Sequence, residues 1–188
     1  MTAKQLAKIK LLAMDVDGVL TDGGMVYAGD REQIKRFSVR DGLGMRLAMV
    51  SGLKIAWITG NMSPAVEARA RDVGVTDLYQ AARYKSEALR DLMRRHELSP
   101  EEVAYVGDDL NDLPAFEKAG VSFAVSDAAP EVKDAADFVT ERAGGAGAVR
   151  EVIEMILKGQ NRWPEAVDSF LNELQREQTE GEVSKVVG

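Results

Sequence analysis

The chain has 188 residues, 45% of them hydrophobic and 29% charged, with a formal net charge of −7 and no cysteine. That length holds one well-formed core rather than two ordinary domains, and the missing cysteines exclude disulfides and thiolate zinc sites. An acidic balance without a basic patch or stripe argues against a nucleic-acid partner, and no apolar run reaches membrane-spanning length.

The opening "MTAKQLAKIK" is basic, but no apolar stretch or small-residue cleavage site precedes the first strand, so it does not read as a signal peptide. A cytoplasmic protein is expected. "KIKLLAMDV" then reads as a buried strand that runs into Asp15-Val16-Asp17-Gly18. "GGMVYAGDREQIKRFSV" breaks the rhythm: it predicts short strands over residues 25–27 and 34–37 around a turn at 28–30, a hairpin flap within residues 23–38. "GLGMRLAMVS" has helical spacing, and "LKIAWITG" is a second buried strand, ending in Thr59-Gly60. Ser63-Pro64 opens a helix that Gly74 closes. "TDLYQ" is a short third strand, and Lys85 opens the helix "KSEALRDLMRRHEL". Ser99-Pro100-Glu101-Glu102 reads as a further helix start. The strand "EEVAYVGDD", the helix "NDLPAFEKAG" and the strand "GVSFAVSD" follow, and "GGAGAVREVIEMILKGQ" supplies a closing helix.

Strands alternating with helices predict an α/β fold: a doubly wound, mainly parallel, Rossmann-like sheet. The hairpin is the one insertion after the first strand and is too small to be a cap domain. Residues 1–160 are expected to form a single domain, and 161–188 a polar, acidic tail with a weak helical pattern and a mobile end.

In such a sheet, ligands bind outside the carboxyl ends of the strands. Asp15, Asp17, Thr59, Gly60, Asp108 and Asp109 stand at those ends, with Lys85 and Asp112 at the starts of helices. Buried carboxylates are costly alone, and this group makes sense around a divalent cation. Mg²⁺ takes hard oxygen ligands and keeps several waters, so Asp15, Asp108 and the Asp17 carbonyl suffice, with Asp109 and Asp112 holding metal-bound waters. Successive side chains of an extended segment point opposite ways, so Asp15 and Asp17 divide the labour. Asp15 is placed to attack phosphorus, and Asp17 to act as general acid and base. Thr59, Gly60 and Lys85 would hold the phosphoryl oxygens. Gly18 is expected to let the backbone approach the phosphate.

"DVDGVLTDG", "ITG", Lys85 and "GDDLND" resemble, in that order, the four motifs of the haloacid dehalogenase superfamily of phosphotransferases, and the resemblance spans about residues 9–158. It implies Asp15 as nucleophile, Asp17 as acid and base, Thr59 and Lys85 as phosphate clamps, and Asp15, Asp17 and Asp108 as the Mg²⁺ site. An aspartate at position 17 resembles the phosphatase and phosphomutase branches, and the small hairpin leaves little room for the bisphosphate intermediate of a mutase. The hairpin, "FSVRDGLG", "VAYVGDDLND" and "GGAGAVREV" further resemble the capless 3-deoxy-D-manno-octulosonate 8-phosphate phosphatase family of lipopolysaccharide biosynthesis. That resemblance implies a small-molecule sugar phosphate as substrate, and a homotetramer in which a neighbouring subunit completes the site. Arg40, Asp41, Asn61 and Arg69 are then the expected substrate contacts, and the loop at 144–147 is expected to close over a neighbour. The chain departs from that family at Asn61, where arginine is usual, and a charge-assisted bond to the sugar carboxylate is lost there. A nine-carbon ulosonate 9-phosphate is therefore the alternative substrate. A receiver-like phospho-acceptor module is a remote alternative, because its acceptor would end the third strand, and no aspartate follows "DLYQ". His96 is expected at a solvent-facing helix end, Trp57 in the core and Tyr27 at an interface.

Overall fold

The structure, a computed structural model, describes residues 3–28 and 32–186. In chain order the elements are α1 (Ala3–Leu6), β1 (Leu11–Met14), β2 (Val26–Ala28), β3 (Glu32–Ile34), α2 (Val39–Val50), β4 (Lys54–Ile58), α3 (Pro64–Val73) and β5 (Asp77–Tyr79). They continue with α4 (Lys85–Arg95), β6 (Val103–Gly107), α5 (Leu113–Phe116), β7 (Val121–Ala124), α6 (Pro130–Ala135), β8 (Phe138–Val139), α7 (Ala148–Gly159) and α8 (Trp163–Val186). Six parallel strands form one sheet in the order β5-β4-β1-β6-β7-β8. Every residue of β1, β6 and β7 is buried, as a parallel sheet covered on both faces requires. Helices α1, α2, α7 and α8 pack together, and α4, α5 and α6 form a second group.

The register decides where the chemistry falls. Met14 lies beside Trp57 on one side and Val106 on the other. Asp15, Thr59 and Asp108 therefore emerge one or two residues later along a common rim. The strand order reverses at β1, so this rim is the crevice where such sheets bind ligands. Trp57 is fully buried, and its Nε1 donates to the Met45 sulfur at 3.3 Å.

The hairpin differs from the sequence expectation, and the tail fills out its weak helical pattern. In the hairpin, Val26 pairs with Ile34 and Ala28 with Glu32, so β3 ends where the second strand was expected to begin. Phe37 instead stacks on Trp57 at 6.4 Å between ring centroids, and Lys35 turns into the crevice, which draws 35–37 off the hairpin. Of the expected turn, positions 29 and 30 lie outside the described residues. The tail, in turn, forms α8, which packs on α2 and α7. There the Trp163 ring faces Arg150 and Lys158 at 5.0 and 5.4 Å, and Phe170 faces Arg46 at 5.7 Å.

Candidate active site

The loop after β1 wraps around its own backbone. The N–H groups of Leu20 and Thr21 both donate to the Val16 carbonyl, and the Asp15 N–H donates to the Val106 carbonyl at 3.0 Å. Gly18 adopts φ +89, and a Cβ there would overlap the Asp108 carboxylate. The space that glycine leaves is thus filled by a carboxylate of the site. The Val16 N–H donates to Asp15 Oδ1 at 2.7 Å, and Lys85 Nζ reaches Asp15 Oδ2 at 2.6 Å. The same ammonium donates to Asp112 Oδ1 at 2.7 Å. Asp112 is fully buried and also accepts from the Tyr105 hydroxyl at 2.9 Å and from the N–H groups of Asp108 and Asp109 at 3.0 and 3.3 Å. It locks the lysine and the β6 loop together.

Too many carboxylates share this buried volume for one lysine to neutralise. Burial, then the Asp112 charge, pushes Asp15 up to about 7, although Lys85 opposes the shift. Burial, then Asp15 and Asp112, pushes Asp108 up to about 8. Burial alone would lower Lys85, but Asp15 and Asp112 outweigh it and hold the ammonium above its ordinary value. Asp108 Oδ1 is buried with no hydrogen-bond partner among the described residues, a state that native structures rarely tolerate. Oxygen atoms of Asp15, Asp108 and Asp112 lie within 4.8 Å of one another. An orphaned acceptor in an all-oxygen, charge-excess cluster fits a hard divalent cation.

The cleft in front of this cluster encloses about 630 Å³ and is lined by Asp15, Asp17, Gly23, Met25, Thr59, Gly60, Asn61, Arg83, Asp108, Asp109 and Asn111. Asp17 is held from two sides: buried Lys35 pairs with Oδ1, and Asn61 Nδ2 donates to Oδ2 at 3.0 Å. Thr59 is buried at the mouth of β4, and its hydroxyl accepts from the Asn61 N–H at 3.2 Å. Asp109 lines the cleft while its carboxylate caps the turn that follows, accepting from the Leu110 N–H at 2.8 Å. Lys35, Arg83, Asn111 and Met25 were missed in the sequence. Asn111 lies inside "GDDLND" and was not singled out there; the other three belong to none of the four motifs, and only the fold brings them to the rim.

Three expected substrate residues are not at the cleft. Arg40 is exposed in the first turn of α2. Asp41 is buried and its carboxylate accepts from the Gly147 and Arg150 N–H groups at 3.2 and 2.8 Å. It therefore caps α7 from another element, a structural role in place of the expected contact. Arg69 Nη2 donates to the Ser38 carbonyl at 3.3 Å. The loop at 144–147 packs on its own catalytic loop: the Gly145 N–H donates to the Val19 carbonyl at 2.9 Å, and a Cβ on Gly144 would overlap the Gly18 carbonyl. His96 is not free at the helix end; its Nε2 lies 2.6 Å from Asp77 Oδ2.

The sheet order, the aspartate pair after β1, the hydroxyl after β4, the helix-opening lysine and the acidic loop after β6 together define a haloacid dehalogenase-like hydrolase. A family model described as haloacid dehalogenase-like hydrolase matches residues 56–153. The chain is 49% identical over 159 residues to the 3-deoxy-D-manno-octulosonate 8-phosphate phosphatase KdsC of Escherichia coli K12, covering 84% of each chain. The fold matches the 3-deoxy-D-manno-octulosonate 8-phosphate phosphatase of Moraxella catarrhalis, solved with a magnesium ion, phosphate and KDO, at TM-score 0.86 and 39% identity over 89% of this chain and 97% of that one. It also matches the cobalt-bound deoxy-D-mannose-octulosonate 8-phosphate phosphatase of Haemophilus influenzae at TM-score 0.85 and 42% identity, over 89% and 99%. The chain belongs to the 3-deoxy-D-manno-octulosonate 8-phosphate phosphatase family of haloacid dehalogenase-like hydrolases and is a phosphoric monoester hydrolase. No helix among the described residues is long and apolar enough to cross a membrane.

Proposed function

We propose that this protein is a Mg²⁺-dependent phosphatase of 3-deoxy-D-manno-octulosonate 8-phosphate that works through an aspartyl-phosphate on Asp15. The observation that carries the mechanism is the charge-excess carboxylate cluster around Asp15 and Asp108, with its orphaned Asp108 oxygen. Asp15, Asp108 and the Asp17 carbonyl would hold the ion, which would neutralise phosphoryl charge and orient the phosphate.

The Val16 N–H and Lys85 aim the Asp15 carboxylate. It attacks phosphorus as the bond from phosphorus to the sugar oxygen breaks, and Asp17 gives its proton to the leaving alkoxide. Asp17 then takes a proton from the incoming water, which attacks phosphorus, breaks the bond to Asp15 and frees inorganic phosphate. Thr59, Gly60 and Lys85 bind the phosphoryl oxygens throughout. Lys35 and Asn61 fix the Asp17 carboxyl that both transfers use. Asp109 and Asp112 keep the β6 loop in shape around the ion.

The catalytic unit in this reading is residues 1–160, with 23–38 as a flap and 161–188 as an appended helix. Among the described residues no lid covers the cleft, and Val26, Tyr27 and Ile34 on the hairpin are exposed, which supports an assembly, in this reading a homotetramer in the cytoplasm, whose neighbouring subunit covers the site. A fully active monomer, identified by mass in solution, would end that part. One observation favours a second reading, a nine-carbon ulosonate 9-phosphate: neutral Asn61 stands where arginine is usual in the octulosonate enzymes. Phosphate release with Mg²⁺ from a panel of the eight-carbon acid, nine-carbon acids and hexose phosphates separates the readings. Preference for the eight-carbon acid is expected, and equal, slow turnover of all three would reject both sugars.

A further inference from the structure

We infer that Arg83, rather than the residue after "ITG", is the cation that recognises the carboxylate of the sugar acid. This rests on the reading of the substrate as an acidic sugar phosphate. Such a substrate carries two anionic ends, and the phosphate end is served by the ion site, Thr59 and Lys85. The cleft lining as a whole carries Asp15, Asp17, Asp108 and Asp109, a field unfavourable to a second anion. A cation must answer it there.

The cations nearest the site are already engaged. Lys85 lies between Asp15 and Asp112, and Lys35 is paired with Asp17. Asn61 has no charge, and its amide is committed to Asp17 at 3.0 Å. Arg69 is turned to the Ser38 carbonyl, and Arg40 does not line the cleft. Arg83 is the one cationic residue in the cleft lining. Its guanidinium has no hydrogen bond or ion pair among the described residues, and a free planar fork of that kind suits bidentate capture of a carboxylate.

The backbone ties the loop that carries Arg83, an exposed side chain on the cleft lining, to the end of β4. The Ala82 N–H donates to the Thr59 carbonyl at 3.0 Å, and the Ala81 N–H to the Asn61 carbonyl at 3.3 Å. Ala81 takes φ +52 to make this turn, a left-handed conformation that an alanine adopts only at a cost. Strain of this kind persists where the surroundings over-determine the backbone, and it clusters at ligand clamps. The turn carries Arg83 alongside Asn61, so a cation two residues before Lys85 takes over the charge that Asn61 lacks.

The test compares steady-state hydrolysis of two acids, the octulosonate 8-phosphate and a nine-carbon ulosonate 9-phosphate, and of a neutral hexose 6-phosphate by the wild type, Arg83→Gln and Arg83→Lys, with Mg²⁺. Loss of a charge-assisted bidentate pair predicts that Arg83→Gln lowers kcat/KM for the acid by roughly tenfold or more relative to the hexose phosphate, mainly through KM. Arg83→Lys should recover part of that ratio. A parallel fall on the acids and the hexose phosphate would assign Arg83 to the phosphate or to the fold, and an unchanged ratio would leave it no part in recognition; either overturns the inference. A wild type with no preference for the acid over the neutral sugar would instead overturn the substrate reading, and this inference with it. A preference for a nine-carbon acid that Arg83→Gln abolishes would uphold the inference and correct only the sugar.

Discussion

At the amino ends of the strands lies a cleft of about 660 Å³, and at the carboxyl ends one of about 630 Å³. Size does not distinguish them, and their chemistry does. At the amino end the acid Glu102 is partnered. Glu102 pairs with Lys10 at 2.6 Å and accepts from the Ser99 N–H at 2.9 Å. Gln160 donates to the Leu6 and Ile9 carbonyls at 3.1 and 2.7 Å. At the carboxyl end Asp15 and Asp108 are held far above the ordinary carboxylate range, chiefly by burial. One end is electrostatically satisfied, and the other is left in deficit for an ion and a substrate to complete. A fold places function where its polar groups are least at rest.

The largest expected effect breaks that contrast at its centre. Asp15→Asn removes the proposed nucleophile and should lower kcat by roughly 10⁴-fold or more, while thermal melting without metal should stay level or rise, because a desolvated like charge is gone. Near-normal turnover in this variant would end the covalent mechanism. Lys85→Met tests the opposite charge. It strips the compensating ammonium from buried Asp15 and Asp112, so denaturant unfolding should show a loss of about 3–5 kcal/mol together with lost activity. If stability were untouched, the acids would not depend on Lys85 as described.

The two ends should also answer pH with opposite signs. Asp15 and Asp108 are raised, so the metal-free native state binds more protons than the unfolded chain. Their contribution is fully present below about 3.8, the ordinary value, and is lost as pH rises through about 7 and about 8. Melting in chelator should therefore fall from pH 6 to pH 9, and Mg²⁺ should flatten that slope by binding the ionised form. Glu102 behaves the other way. Its pairing with Lys10 lowers it from 4.5 to about 2, so what it contributes is present above 4.5 and disappears as pH falls toward 2. A chelated melting curve that rises toward pH 9 would remove the deficit from the carboxyl end.

The sheet and the residues that gather at its carboxyl rim were legible in the sequence because both are written locally. A buried strand announces itself by an apolar run, and Asp15, Thr59, Lys85 and Asp108 fall at strand ends or helix starts. What escaped was short or long-range. β8 has only two residues, too few to set a period, and α6 only six. Asp41 was an expected substrate contact through the family resemblance alone; its partners Gly147 and Arg150 lie more than a hundred positions away. Lys35 and Arg83 carry no local signal, since an isolated cation on a flap or loop reads as surface until the fold shows what it faces.

The smallest expected effect falls at the satisfied end. Gln160 stands at the last turn of α7 and ties that helix to the chain entering β1 through the Leu6 and Ile9 carbonyls. Gln160→Ala removes both donors. Leu6 keeps the Ile9 N–H at 3.2 Å, whereas Ile9 loses its side-chain donor. Water can reach this partly exposed place, so the cost should be about 1 kcal/mol in denaturant unfolding. β1 is only four residues long, yet kcat and KM should not change, because no charge of the reacting cluster depends on this bond. A matching fall in kcat would mean that strain at the amino end travels along β1 to Asp15, and the division of labour between the two ends would have to be abandoned.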